Sequence, residues 1–176
     1  MGLQLIFVVE TNKTCKSDWI YIKDTIEKFY TYDRAHVKFS PVYMNGKTNY
    51  ADKEKEIKTL ISQYDHAATN NESKVIYCFD CDDYDVRQED LNFLKKVRRF
   101  CEDRGYAFAW FCKDIERVFL GYKVPDSQKK KEAAAFKAKK MISGIKAESL
   151  SAAEYRANKS NLLKILDTSV PPLIRK

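Results

Sequence analysis

An apolar run ends on a group of carboxylates in the stretch Val75-Ile76-Tyr77-Cys78-Phe79-Asp80-Cys81-Asp82-Asp83-Tyr84-Asp85. A shorter apolar run near the N-terminus, Leu5 to Val9, ends on Glu10. Short runs rich in Val, Ile and Phe are typical of central parallel strands, because helices cover both faces of such strands. The two runs therefore predict two buried strands with acidic side chains at their carboxyl ends.

Strand and helix patterns alternate along the first 120 residues, which predicts a three-layer α/β fold with a mostly parallel sheet of about four strands. The second of these strands contains Pro41, which predicts that it lies at an edge of the sheet or bends there. Helices are predicted from Ser17 or Asp18, over 52–64 and over 87–103. The predicted strands are Leu5 to Glu10, Val37 to Met44, Lys74 to Phe79 and Tyr106 to Cys112.

The last third of the chain has a different sequence pattern, which predicts helices with a basic surface. We interpret residues 1–122 as the α/β domain and residues 123–176 as a basic helical C-terminal extension packed on or next to it. Pro171-Pro172 is expected to end the ordered structure. A short helix, Ile115 to Leu120, is predicted at the end of the α/β domain, and two helices are predicted in the extension, from Lys129 towards Met141 and from Ala152 to Leu166.

Composition narrows the class of protein. The chain has 176 residues, of which 44% are hydrophobic, enough for a sizeable core. It contains no apolar stretch near the ~20 residues needed to span a bilayer, and its N-terminus lacks the pattern of a secretory signal. We therefore expect a cytoplasmic protein without a membrane partner. Five cysteines without regular spacing favour reduced thiols over a disulfide framework.

The net charge of +7 is unevenly distributed. From Arg117 to Lys176 the chain carries 14 Lys and Arg against 5 Asp and Glu, so the basic surplus follows the acidic stretch. This distribution suits a polyanion such as DNA or RNA, although a solvated basic helix explains the charge equally well. The lysines that we expect to contact nucleic acid are Lys13, Lys16, Lys129, Lys130 and Lys131.

The acidic residues predict a metal centre. Carboxyl ends of neighbouring parallel strands meet at one edge of a sheet, where ligands bind, so Glu10 should lie near Asp80 and Asp82. Asp80 and Asp82 would project to the same side if the segment is extended. Clustered carboxylates repel one another unless a positive charge lies between them, and oxygen-rich sites suit Mg²⁺ or Mn²⁺. Two such ions could clamp a phosphodiester and activate a water molecule.

These residues resemble the Toprim family, in which a Glu ends the first strand and an Asp-x-Asp ends a later one. The resemblance covers roughly residues 3 to 120 and matches Glu10, Asp80 and Asp82. A likeness to the RloB-like nucleases, which group with the OLD nucleases, lies in Phe111 to Leu120 and adds Glu116 as a site residue. The family implies a Toprim/Rossmann-like fold and Mg²⁺-dependent cutting or joining of nucleic acid, with Glu10, Asp80, Asp82, Asp83 and Glu116 as candidate metal ligands. The RloB-like group points to phage defence or a mobile element, where a protein encoded nearby could be a further partner.

Three function hypotheses follow from these residues. The first is a metal-dependent nuclease with Glu10, Asp80 and Asp82 as catalytic residues. The second is an inactive Toprim-like module that binds nucleic acid or a protein, since Thr11 and Tyr84-Asp85 stand where Toprim domains commonly have glycine. The third is a glycosyltransferase, because an Asp-x-Asp can also hold a metal-bound nucleotide sugar.

Each acidic residue also has a simpler explanation. Asp82, Asp83 and Asp85 could form a polar loop that caps the next helix, and Glu10 and Glu116 could be solvated surface residues. Other chemistries lack support. Cys78 and Cys81 have no second pair to complete a zinc site, the two histidines lie in unrelated segments, and five glycines provide no phosphate-binding loop.

Overall fold

Strands and helices alternate through most of the chain. The computed structural model describes residues 2–169 and 172–176. No helix in these two ranges is both long and apolar enough to cross a membrane. The strands are β1 (Leu3–Val9), β2 (Tyr30–Thr31), β3 (Val37–Tyr43), β4 (Glu72–Asp80), β5 (Ala107–Cys112), β6 (Lys159–Ser160) and β7 (Ile174–Arg175). The α-helices are α1 (Ser17–Phe29), α2 (Glu54–Ala67), α3 (Gln88–Arg104), α4 (Ile115–Leu120), α5 (Lys129–Ala138) and α6 (Leu162–Asp167).

The main sheet has five strands in the order β3-β1-β4-β5-β6. The first four run parallel, and the short β6 pairs antiparallel with β5. The predicted α/β fold is therefore confirmed, and β6 is an additional edge strand. β3 lies at the opposite edge, which is where Pro41 can be accommodated because a partner strand needs no N–H from it.

Two cores cover the two faces of the sheet, because side chains of a strand alternate between its faces. Leu5 and Phe7 face a core that includes α1, α4, α5 and α6. Ile6 and Val8 face the other core, which is closed by α2 and α3. Both faces of β1 are buried, and this explains why its sequence is continuously apolar.

Residues after Gly121 join the first of these cores. The side chains of Phe136, Leu150 and Leu163 are fully buried in it, and Phe136 meets the ring of Tyr21 on α1 edge-on at a centroid distance of 5.0 Å. This aromatic contact packs α5 against α1. The predicted domain boundary at residue 122 stays a prediction.

The C-terminal secondary structure differs from the prediction. The predicted helix from Ala152 to Leu166 is wrong: a helix forms only in α6, because Ser160 and Lys159 instead pair with the free edge of β5. Pro171 lies outside the described residues. The prediction that ordered structure ends at Pro172 is wrong, since β7 follows this residue and pairs with β2.

Asn161 completes the edge of β5 with its side chain. Its Oδ1 accepts a hydrogen bond from Trp110 N–H at 2.9 Å, and its Nδ2 donates to the Phe108 carbonyl at 3.0 Å. We expect Asn161→Ala to lower the free energy of unfolding by about 2 kcal/mol, because two largely buried backbone groups lose their partners. Urea unfolding would measure this loss. The exposed Asn92→Ala is the matched control, and an equal loss in the control would contradict the bridging role.

Candidate functional site

The carboxyl ends of β1 and β4 bring two predicted residues together. Glu10 directly follows β1, and its Oε1 accepts a hydrogen bond from the backbone N–H of Asp80 at 2.8 Å. Asp80 ends β4, and its Oδ1 accepts from the backbone N–H of Ile115 at 2.9 Å. Each carboxylate uses one oxygen in such a bond, so its orientation is fixed while the second oxygen can bind a ligand.

Glu116 lies under the same edge, in the first turn of α4. Asp114 begins this helix by accepting a hydrogen bond from Arg117 N–H at 2.8 Å. The Glu116 side chain is only 1% exposed, so its interpretation as a solvated surface residue is wrong. Neither Glu116 oxygen has a hydrogen-bond donor within residues 2–169 and 172–176. A buried charged carboxylate without donors is costly, so this position favours the protonated form of Glu116 or a nearby positive charge.

Asp18 is a fourth carboxylate at this edge, and the sequence predicts for it only a place at the start of a helix. It lies in the first turn of α1, is 7% exposed, and accepts a hydrogen bond from Thr11 N–H at 3.2 Å. The topology is the feature of the sequence that points to Asp18 as a site residue, because the helix that follows β1 must begin at the edge where Glu10 lies. An acidic residue at that helix start therefore belongs to the same edge.

Lys129, the first residue of α5, supplies positive charge to this group of four carboxylates. Its Nζ lies 3.8 Å from Glu116 Oε2 and 3.3 Å from Asp126 Oδ1. The other predicted nucleic-acid contacts are exposed: Lys130 and Lys131 on α5, and Lys13 and Lys16 on the loop after β1.

A cleft of about 360 Å³ is lined by three of the four carboxylates and by Lys129. Glu10, Asp18 and Asp80 lie on one side of it, and Asp126 and Lys129 lie on the α5 side. Loop residues 11–12 and 45–46 complete its walls. We name Glu10, Asp18, Asp80 and Glu116 the carboxylate cluster.

The electrostatics of the carboxylate cluster follow from burial. Burial raises the pKa of Glu10 to about 8, and the charges of Asp18 and Asp82 add to this rise. Burial raises the pKa of Glu116 to about 7, against the opposing effect of Lys129. The pKa of Asp80 is raised well above its usual value by burial and then by Glu10. One lysine therefore does not neutralise the cluster.

Asp82 and Asp83 lie apart from the cleft. The extended conformation stops at Asp80, and Asp82 has a left-handed φ of 51°, so the predicted alternation from Asp80 to Asp82 is wrong. The Asp82 carboxylate forms an ion pair with Lys47 instead. Asp83 lies 3.4 Å from Lys113 Nζ, and Asp85 lies 3.1 Å from it, which matches the simpler interpretation of a polar loop.

The donor atoms of the carboxylate cluster fit Mg²⁺ or Mn²⁺, because both ions prefer carboxylate oxygens. The two unpartnered oxygens of Glu116 are consistent with a cationic ligand. In the described part of the chain, however, no three Asp, Glu, His or Cys side chains converge closely enough to hold a metal ion as they stand. A metal ion would therefore require these side chains to move together.

Comparisons of the chain with protein-family models, with curated proteins and with solved structures found no match. The resemblance to Toprim domains therefore stays a prediction that rests on the residues themselves. Geometry supports Glu10 and Asp80 as neighbours at one site, adds Asp18 and Glu116 to them, and leaves Asp82 and Asp83 at its margin.

Proposed function

We propose that this protein is a divalent-metal-dependent nuclease that hydrolyses phosphodiester bonds of DNA or RNA. The observation that carries the proposal is the carboxylate cluster at the carboxyl edge of a parallel sheet, in which Asp18 and Glu116 are buried and Glu10 and Asp80 are half-buried. Glu10, Asp18 and Asp80 line a cleft at this edge. Ligands of open α/β sheets bind at this edge. The resemblance to Toprim and RloB-like nucleases points to the same chemistry.

Glu10 and Asp80 would hold the metal ion, with Asp18 and Glu116 as the nearest additional carboxylates. A bound Mg²⁺ or Mn²⁺ would lower the pKa of a water molecule and stabilise charge on the phosphate oxygens. The chain itself supplies orientation. The N–H groups of Asp80 and Ile115 each hold one oxygen of Glu10 and Asp80, so the second oxygen of each carboxylate is the one that would bind the metal ion.

A cleavage assay tests the proposal directly. End-labelled single-stranded and duplex DNA and RNA would be incubated with the protein in Mg²⁺, in Mn²⁺ and in EDTA. We expect shortened products with at least one of the metal ions and none in EDTA. Intact substrates under all conditions, at protein concentrations that saturate binding, would contradict the nuclease proposal.

The exposed lysines of α5 should contribute to nucleic-acid binding through phosphate contacts. We expect the double change Lys130→Ala and Lys131→Ala to weaken binding and to reduce the slope of log affinity against log salt by about 2, because each phosphate contact releases a counterion. Fluorescence anisotropy between 50 and 200 mM salt (roughly the range where such slopes are measured) would test this. An unchanged slope would place the interface elsewhere on the protein.

A second candidate is a module that binds nucleic acid without cutting it. Lys129 already provides positive charge inside the carboxylate cluster, and the four side chains do not converge on a metal ion as they stand. Thr11 occupies the place of a common Toprim glycine. This candidate predicts salt-sensitive binding that survives Asp80→Asn and no cleavage with any metal. The glycosyltransferase hypothesis has less support, since Asp82 pairs with Lys47 and does not join Asp80 in the cleft.

A further inference from the structure

Lys129 occupies an unusual position for a surface-helix lysine. It starts α5, only 23% of its side chain is exposed, and it lies beside Glu116, whose carboxylate is almost completely buried. Lysines at the start of a helix are unfavourable because the helix dipole is positive there. Its position is instead consistent with attraction to the carboxylate cluster, since its charge is coupled to Glu116, Asp80 and Asp18.

The contact between Lys129 and Glu116 is electrostatic and does not reach hydrogen-bond distance. The separation of 3.8 Å exceeds the roughly 2.7–2.9 Å of a charge-assisted hydrogen bond. A permanent buried ion pair is normally closed by such bonds, because they offset the cost of desolvating both charges. Here both oxygens of Glu116 accept no hydrogen bond from the described residues, so Lys129 attracts the Glu116 carboxylate without bonding to it.

A second partner for Lys129 lies at the mouth of the cleft. Asp126 is one turn earlier in the chain, its side chain is 98% exposed, and its Oδ1 is 3.3 Å from Lys129 Nζ. The ammonium group therefore lies between an inner carboxylate and an outer one. The ammonium group is already nearer to Asp126 than to Glu116, so it keeps an acidic partner when it leaves the inner carboxylate.

We propose that Lys129 is a tethered counter-ion that holds the place of a divalent metal ion in the carboxylate cluster and moves towards Asp126 when the metal binds. The inference rests on the proposed metal-dependent function. The ammonium group and the metal ion compete for the same carboxylates, so the metal affinity of the protein is set partly by Lys129. Once displaced, the ammonium group lies at the mouth of the cleft, where an anionic substrate enters.

Calorimetric titration with Mn²⁺ tests the competition. We expect Lys129→Met to bind Mn²⁺ at least about tenfold more tightly than the unchanged protein, because a positive charge close to the metal is removed. The matched control is Lys137→Met, which removes the same charge from the exposed last turn of α5 and should change affinity by less than about twofold. Equal affinities in the unchanged protein and Lys129→Met would overturn the tethered counter-ion and leave the metal site standing. An absence of Mn²⁺ binding in every variant would overturn both the inference and the proposed metal-dependent function.

A measurement on the unchanged protein avoids any dependence on the folding of Lys129→Met. An amine-acetylating reagent would be applied with and without Mn²⁺, and the modification of each lysine followed by mass spectrometry. We expect acetylation of Lys129 to rise severalfold with Mn²⁺, because its ammonium group moves out of the cluster, while Lys137 stays constant. Constant or slower acetylation of Lys129 at Mn²⁺ concentrations that saturate the calorimetric signal would overturn the proposal.

Discussion

Asp80→Asn should lower metal-dependent cleavage by at least about 10³-fold, which corresponds to roughly 4 kcal/mol of transition-state stabilisation. The substituted side chain keeps its size, and its amide oxygen can still accept the hydrogen bond from Ile115 N–H. It loses the negative charge that a divalent cation requires from a ligand. Because Asp80 is half-buried beside other carboxylates, which raise its pKa, its neutral replacement should also leave the fold intact or more stable.

The measurement is the initial cleavage rate under saturating Mg²⁺ or Mn²⁺, accompanied by a urea unfolding curve for each variant. Asp85→Asn is the matched control, because it makes the same chemical change at an exposed residue that pairs with Lys113 outside the cleft. We expect that control to retain activity within about threefold. If Asp80→Asn cleaves as fast as the unchanged protein while Mn²⁺ still binds, the metal lies elsewhere and the assignment of Asp80 is wrong.

The adjacency of Glu10 and Asp80 could be predicted because it depends on few assumptions. Two continuously apolar runs had to be parallel neighbours, and their carboxyl ends then had to meet. The position of Asp82 required knowledge that the sequence does not carry. Lys47 lies 35 residues earlier in the chain and pairs with Asp82. The backbone of Asp82 adopts a left-handed conformation just after β4.

Other errors have the same origin in contacts between distant parts of the chain. Local pattern predicts a helix over Ala152 to Leu166, but Lys159, Ser160 and the Asn161 side chain pair with the open edge of β5 instead. The charge of Lys129 predicts a phosphate contact, and this stays a prediction. Its place beside the carboxylates depends on the packing of Phe136 against α1, which local pattern does not reveal.

The metal-free protein should lose stability as pH rises from about 5 to about 8.5, by several kcal/mol in all. The sign follows from the raised pKa values. Glu116 has a pKa of about 7 in the folded protein against 4.5 as its ordinary value, so the folded state holds this proton more tightly than the unfolded state. Its contribution is fully present below pH 4.5 and is lost as pH rises to about 7. Glu10, with a pKa of about 8, extends the loss upward in pH.

Urea unfolding in EDTA at about pH 5.5 and about pH 8.5 would measure this loss. The lower pH lies about one unit above the ordinary carboxyl pKa, and the higher pH lies above the raised pKa values of Glu116 and Glu10. Glu116→Gln stays neutral at both pH values, so its loss of stability should be smaller by about 2 kcal/mol. Glu89→Gln, at an exposed position on α3, is the control and should show the full loss.

Adding Mg²⁺ at pH 8.5 should restore stability in the unchanged protein, because a ligand that binds only the folded state shifts the equilibrium towards it. Stability that is constant or rises between the two pH values would mean that the carboxylate cluster is already neutralised within the fold, and a divalent cation would then have no electrostatic reason to bind there.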